Sequence, residues 1–162
     1  MKVLLSLLLL FSAEAGSFEI EGVPFVKQES RFCGPASLVS VFGYYGLTVD
    51  QDTIARDVYS EKLRGALITD LEDCARSHGF QTHLGRGSTD DIKAALREKK
   101  PVIVLVDLGF WVITRPHYLV IIGYSDKGFI AHTGYESGET FPYAEFGRIW
   151  AKKGSVYLSV WR

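Results

Sequence analysis

Residues Val23 to Gly46, VPFVKQESRFCGPASLVSVFGYYG, restrict this chain to folds that enclose a helix. After Cys33 the apolar residues Ala36, Leu38, Val39, Val41, Phe42 and Tyr45 fall on more than one helical face, with Ser37 and Ser40 as polar interruptions. A helix apolar nearly all round belongs at the centre of a domain, not on its surface. Gly34-Pro35 marks its start, because proline is tolerated in a first turn whose N–H groups lack partners. Tyr44-Tyr45-Gly46 marks its end, with glycine free to take the left-handed cap. Cys33 therefore stands at the positive end of a buried helix dipole. That position is expected to lower the pKa of its thiol and make it nucleophilic.

Most free cysteines are small buried hydrophobes. Cys33 differs in having partners elsewhere in the chain. Gln28, five residues upstream, carries an amide able to donate to an oxyanion beside the Cys33 N–H. His117 opens the continuous apolar run Tyr118-Leu119-Val120-Ile121-Ile122-Gly123-Tyr124, which reads as a buried strand. With a helix-capped cysteine upstream, His117 is the expected general base.

Gln28, Cys33-Gly34-Pro35-Ala36-Ser37-Leu38, Tyr44-Tyr45-Gly46 and His117 to Tyr124 together resemble the bacteriocin-processing cysteine peptidases, family thirty-nine of that class. Those are papain-like enzymes best known for cutting leader peptides after a double glycine. The resemblance runs over roughly Val23 to Trp161. It implies a papain-like fold with Gln28, Cys33 and His117 as oxyanion donor, nucleophile and base. The chain departs from the family at two places. The gap from glutamine to cysteine is one residue shorter than in transporter-linked members. The family's Asp-Pro after the histidine strand falls on Thr133-Gly134. The third catalytic residue is then expected to be Thr133 through its hydroxyl. Asp107, at the end of the preceding strand, ranks second and His132 third.

The 162 residues suit one domain, and a net charge of −1 with few basic pairs argues against a nucleic-acid partner. Lys2, the apolar run Val3 to Phe11 and Ala13-Glu14-Ala15 form a signal-peptide pattern over residues 1–15. A single peptidase-like domain is expected over 16–162, exported to the periplasm or beyond the cell. No stable membrane insertion is expected after cleavage, and a monomer is expected. No cofactor is expected, and the four histidines and two cysteines lack metal-site spacing.

The order of elements argues for an α+β fold: an N-terminal helical half at about 28–100 packed on a C-terminal antiparallel β half at about 101–162. Asp50 caps a second helix running to about Tyr59, and Thr69 with Glu72 forms a capping box opening a third, closed by Gly79. Gly85-Arg86-Gly87-Ser88 reads as a turn, and Ser88 or Thr89 caps a fourth helix. Val102 to Val106 is a buried strand, and the histidine strand pairs with Phe129–His132 as a hairpin. Thr140-Phe141-Pro142 is expected to open a last helix through Trp150, before a closing strand from Ser155 to Trp161. Leu108 to Arg115, LGFWVITR, is a loop with a heavy apolar load, serving either as a wall of the cleft or as a cover for the core. Cys74 is expected to be a buried free thiol. The chain is expected to be a cysteine peptidase acting on a peptide or protein. The alternatives are a weak or silent peptide-binding domain and a papain-like cell-wall endopeptidase.

Overall fold

The computed structural model describes residues 16–162, so the expected signal segment lies outside the described residues. A short strand, β1 (Phe18–Glu19), leads to helix α1 (Cys33–Tyr44). This helix is enclosed: Leu38, Val41 and Phe42 have no exposed surface. Burying each such side chain contributes about 1.5–3 kcal/mol, which makes α1 the centre of the helical layer. Its polar interruptions are satisfied, with Ser37 Oγ donating to the Cys33 carbonyl at 2.7 Å and Ser40 Oγ to the Pro24 carbonyl at 2.6 Å.

Helix α2 (Gln51–Val58) starts at Asp50, whose carboxylate accepts from the Thr53 N–H at 2.8 Å. The tiny hairpin β2 (Tyr59–Ser60) and β3 (Gly65–Ala66) follows. Helix α3 (Ile68–Ser77) begins one residue before Thr69, and the Thr69–Glu72 capping box does not form. The Glu72 carboxylate accepts instead from Arg76 at 2.7 Å and from the Thr82 hydroxyl at 2.9 Å. A charge-assisted bond one turn along the helix outcompetes a cap. Helix α4 (Thr89–Arg97) carries a reciprocal capping box between Ser88 and Asp91.

The main sheet is antiparallel, in the order β4 (Gln81–Arg86), β9 (Val156–Trp161), β5 (Val102–Asp107), β6 (Pro116–Tyr124), β7 (Gly128–His132), β8 (Glu139–Pro142). β1 pairs with β6 at Gly123 and Tyr124, beyond the last β5 partner, Ile121. α1 packs against α2, α3 and β6, and helix α5 (Tyr143–Ala151) packs against β5, β7 and β8. The architecture is thus α+β, with a large antiparallel sheet.

Three details differ from the sequence reading. β4 joins the sheet from within the first hundred residues, so residue 100 does not divide helices from strands. Gly85 and Arg86 belong to that strand and not to the turn after it. Residues 139–142 extend the sheet as an edge strand, and α5 starts only at Tyr143. The open edge of β7 recruits this segment, burying Phe141, and Pro142 is tolerated because an edge strand need not donate on its outer side.

Candidate active site

Two elements meet at the site: the mouth of α1 and the first residues of β6. Ala36 N–H closes the first turn of the helix onto the Phe32 carbonyl at 2.8 Å, leaving the Cys33 side chain at the rim. Against it lies β6, on which α1 packs, with Pro116 and Tyr118 lining a cavity together with Cys33.

His117 is buried, and its Nε2 lies 2.7 Å from the Thr133 carbonyl oxygen. A carbonyl only accepts, so Nε2 carries the hydrogen and Nδ1 the free lone pair of the neutral ring. The ring stacks on Tyr135, with centroids 5.5 Å apart and planes within 11°.

Thr133 meets the imidazole through its main chain. Its hydroxyl accepts from the N–H groups of Glu136 at 2.8 Å and Tyr135 at 3.2 Å, knitting the turn after β7. Asp107 is not brought to the ring. In the ladder it opposes Pro116 while Val106 opposes His117, so its side chain leaves the sheet on the other face. Its Oδ1 accepts from Gly109 and Arg115 N–H, each at 2.8 Å, and Lys153 stands 3.6 Å from Oδ2. The Arg115 and Gly109 amides and the lysine charges hold its carboxyl below the ordinary range, against a smaller opposing effect of burial. His132 is engaged elsewhere: Nε2 donates to the Val23 carbonyl at 3.0 Å, and Nδ1 accepts from Gly138 N–H at 3.1 Å.

Gln28 lies across the cavity. Its N–H donates to the Gly134 carbonyl at 2.9 Å, and its side-chain Nε2 donates to the Tyr135 hydroxyl at 3.1 Å. The second Nε2 hydrogen is left for another acceptor. Gly134 (φ +80°) packs so closely that a Cβ there would fall 2.6 Å from Gln28 Oε1. Sequence reasoning missed Tyr135 and the positioning role of Gly134. The one signal pointing to this turn was the alignment of Thr133-Gly134 with the family's Asp-Pro.

The electrostatics correct one expectation. Burial pushes the Cys33 thiol above its ordinary value of 9.0, outweighing the three amides that favour the thiolate. Burial also lowers His117 below 6.5, with Arg115 pushing the same way and the Thr133 carbonyl opposing. Both shifts run toward the uncharged forms, thiol and neutral imidazole. Cys74 is a buried free thiol pushed up to about 11 by burial and by the nearby charge of Asp57. Among the described residues no group of three or more His, Cys, Asp or Glu side chains is placed to hold a metal ion.

Cys33 sits where two cavities join. A polar cavity of about 440 Å³ holds Gln28, His117 and Tyr135, with Arg31, Arg64 and Arg115 around it and Glu29 as its one acidic residue. A neighbouring cavity of about 610 Å³ is mostly apolar, walled by Leu63, Ala66, Leu67, Ile68, Leu105 and Tyr118.

The sequence profile of the Peptidase_C39 like family matches residues 20–158, nearly the whole described chain. The chain belongs to the Peptidase_C39 like family. Solved structures agree on the fold. A C39-like peptidase from Bacillus anthracis superposes with a TM-score of 0.75 at 17% identity, covering 91% of this chain and 98% of that one. A double glycine motif protease from an AMS/PCAT transporter, solved with its leader peptide, gives 0.71 at 22% identity, covering 89% and 94%. The peptidase domain of Streptococcus ComA, a bi-functional ABC transporter, gives 0.70 at 21% identity, covering 86% and 98%. No curated protein matches the chain at a significant level. This C39-like chain thus shares the papain-like α+β peptidase fold of those domains.

Proposed function

We propose that this C39-like chain is an exported cysteine peptidase. The observation that carries the reading is the His117–Thr133 bond: with Nε2–H committed to a backbone carbonyl, Nδ1 is left as a base in the cavity that holds Cys33 and Gln28. Cys33 Sγ bonds to the substrate carbonyl carbon as its proton passes to Nδ1, and the carbonyl π pair moves to oxygen. Gln28 Nε2 and the Cys33 N–H donate to that oxyanion. Collapse breaks the C–N bond, and the leaving amine takes the proton from Nδ1. Water then attacks the thioester, gives its proton to Nδ1, and releases the acid as the thiol is restored.

Because burial favours the uncharged thiol and imidazole, proton transfer accompanies attack instead of preceding it. The cavities support a substrate with an apolar side chain on one side of the scissile bond and acidic groups on the other, facing the three arginines. The second reading is a silent peptide-binding domain, toward which the burial of Cys33 points, because burial disfavours the thiolate. Profiling wild type and Cys33→Ala against a diverse peptide library separates the two. Cleavage by wild type alone supports the peptidase, whereas equal binding without cleavage by both supports the binding domain.

A further inference from the structure

The loop between β5 and β6 is tied by hydrogen bonds at its base and its tip. Asp107 Oδ1 accepts from the N–H groups at both ends of the loop, and Leu108 N–H donates to the Arg115 carbonyl at 2.9 Å. Lys152 Nζ donates to the Gly109 carbonyl at 3.0 Å, and a turn closes the tip through Ile113 N–H to the Phe110 carbonyl at 3.0 Å. Gly109 is required for this closure, since a Cβ there would meet the Ile113 carbonyl oxygen.

This well-held loop exposes Phe110, Trp111, Val112 and Ile113, at 76%, 87%, 92% and 70% of their surface. Such exposure is not that of a core cover, and none of the four lines either cavity at Cys33. Trp111 also holds φ 57°, a conformation that bulky residues rarely adopt, and its ring lies beside that of Phe110 with centroids 6.3 Å apart, so the two form one exposed aromatic pair. We propose that Phe110, Trp111, Val112 and Ile113 insert into the interfacial layer of an anionic lipid bilayer, holding the Cys33 cleft at the membrane surface.

Shape and charge favour lipid as the occupant. Four consecutive apolar side chains at the loop tip are largely exposed, with Phe110 and Trp111 side by side. A protein partner would need a deep matching socket, whereas acyl chains close around such a tip from every side. Trp and Phe are the residues that settle at the headgroup level. At the base of the loop stand Lys152, Lys153 and Arg115, with Asp107 the one carboxylate bonded there, a net charge of +2 from 3 − 1. Insertion by roughly 5–10 Å brings these bases to the depth of lipid phosphates, where they attract anionic headgroups. The attachment is peripheral: among the described residues no helix is long and apolar enough to cross a membrane.

Co-sedimentation with phosphatidylcholine vesicles, with and without phosphatidylglycerol, tests this on wild type and on Trp111→Ser/Ile113→Ser. The chain has three tryptophans, Trp111, Trp150 and Trp161, so the tip is reported by the part of the emission shift that the variant loses. Wild type is expected to bind phosphatidylglycerol vesicles with a blue shift and to release at high salt. The double variant, its fold checked by circular dichroism, is expected to bind at least roughly tenfold more weakly. Absence of wild-type binding, or equal binding by the variant, overturns the proposal. Equal affinity for vesicles without phosphatidylglycerol overturns the charge argument. A wild-type dimer that becomes a monomer in the variant, without vesicle binding, assigns the tip to a second copy of the chain and overturns it as well.

Discussion

Gly134→Ala places a methyl group 2.6 Å from Gln28 Oε1 and 3.2 Å from its Cγ, both inside van der Waals contact. The substitution also forces alanine into φ +80°, at a cost of about 1–2 kcal/mol. At roughly 2–4 °C per kcal/mol for a domain of this size, the melting midpoint should fall by roughly 2–8 °C. The methyl meets the free end of a flexible side chain, so Gln28 swings aside while the fold survives. If Gln28 donates to the oxyanion, its displacement removes one donor and lowers kcat by roughly 10²–10³-fold, about 2.7–4 kcal/mol of barrier, with little change in KM. The assay is a double-mutant cycle with Gln28→Ala, using a peptide selected from the library and a thermal melt for each protein. In the Gln28→Ala background Gly134→Ala should still cost stability but no further kcat, because there is no donor left to displace. If its kcat effect persists undiminished there, the glycine acts by another route. If Gln28→Ala itself keeps full activity, Gln28 is not an oxyanion donor.

Thr133→Val should leave the pH–rate profile of kcat in place, because a carbonyl and not the hydroxyl holds His117, yet lower stability by about 1–3 kcal/mol as two N–H groups lose their acceptor; a collapsed profile would restore the hydroxyl to the mechanism. Asp107→Asn should likewise keep the profile, since its carboxylate clamps the 108–115 loop on the other face of the sheet. The downshift of His117 contributes stability that is full above pH 6.5 and lost as pH falls through the shifted value. The upshift of Cys33 contributes stability that is full below pH 9.0 and lost as pH rises through its own shifted value, so melting midpoints should peak between them and the acid limb of kcat/KM should lie below 6.5. Iodoacetamide at neutral pH should label Cys33, at a cavity junction, before buried Cys74; the reverse order in a peptide map would remove Cys33 from the nucleophile role. Mass spectrometry of exported protein should find an N-terminus near Gly16, and recovery of intact Met1–Ala15 would refute the signal reading.

What could be read in advance was periodic. Leu38, Val41 and Phe42 announced an enclosed helix, and the run from His117 to Tyr124 announced a strand buried along almost its whole length. Features set by competition between distant groups could not be read. Glu72 carries a capping-box signature, but Arg76 and Thr82 claim its carboxylate. Thr140-Phe141-Pro142 looks like a helix opening, and only the unpaired edge of β7 makes it a strand. The thiol position at a helix mouth was legible, but the direction of its pKa was not, because burial comes from β6 and other parts remote in sequence. Tyr135 reaches both His117 and Gln28 only because the 133–136 turn folds back over β6, and no spacing rule predicts that.

The group that orients His117 belongs to the peptide chain itself, and every amino acid carries it. Replacing residues one at a time therefore cannot delete it, and a saturation mutagenesis screen would report a dyad where three groups cooperate. A change of side chain at position 133 leaves this contact in place and is felt only through the turn bonds that the hydroxyl accepts. The genetic signature of this contact should appear as intolerance to insertions, deletions and proline in the 133–136 turn, changes that move the main chain without naming a side chain.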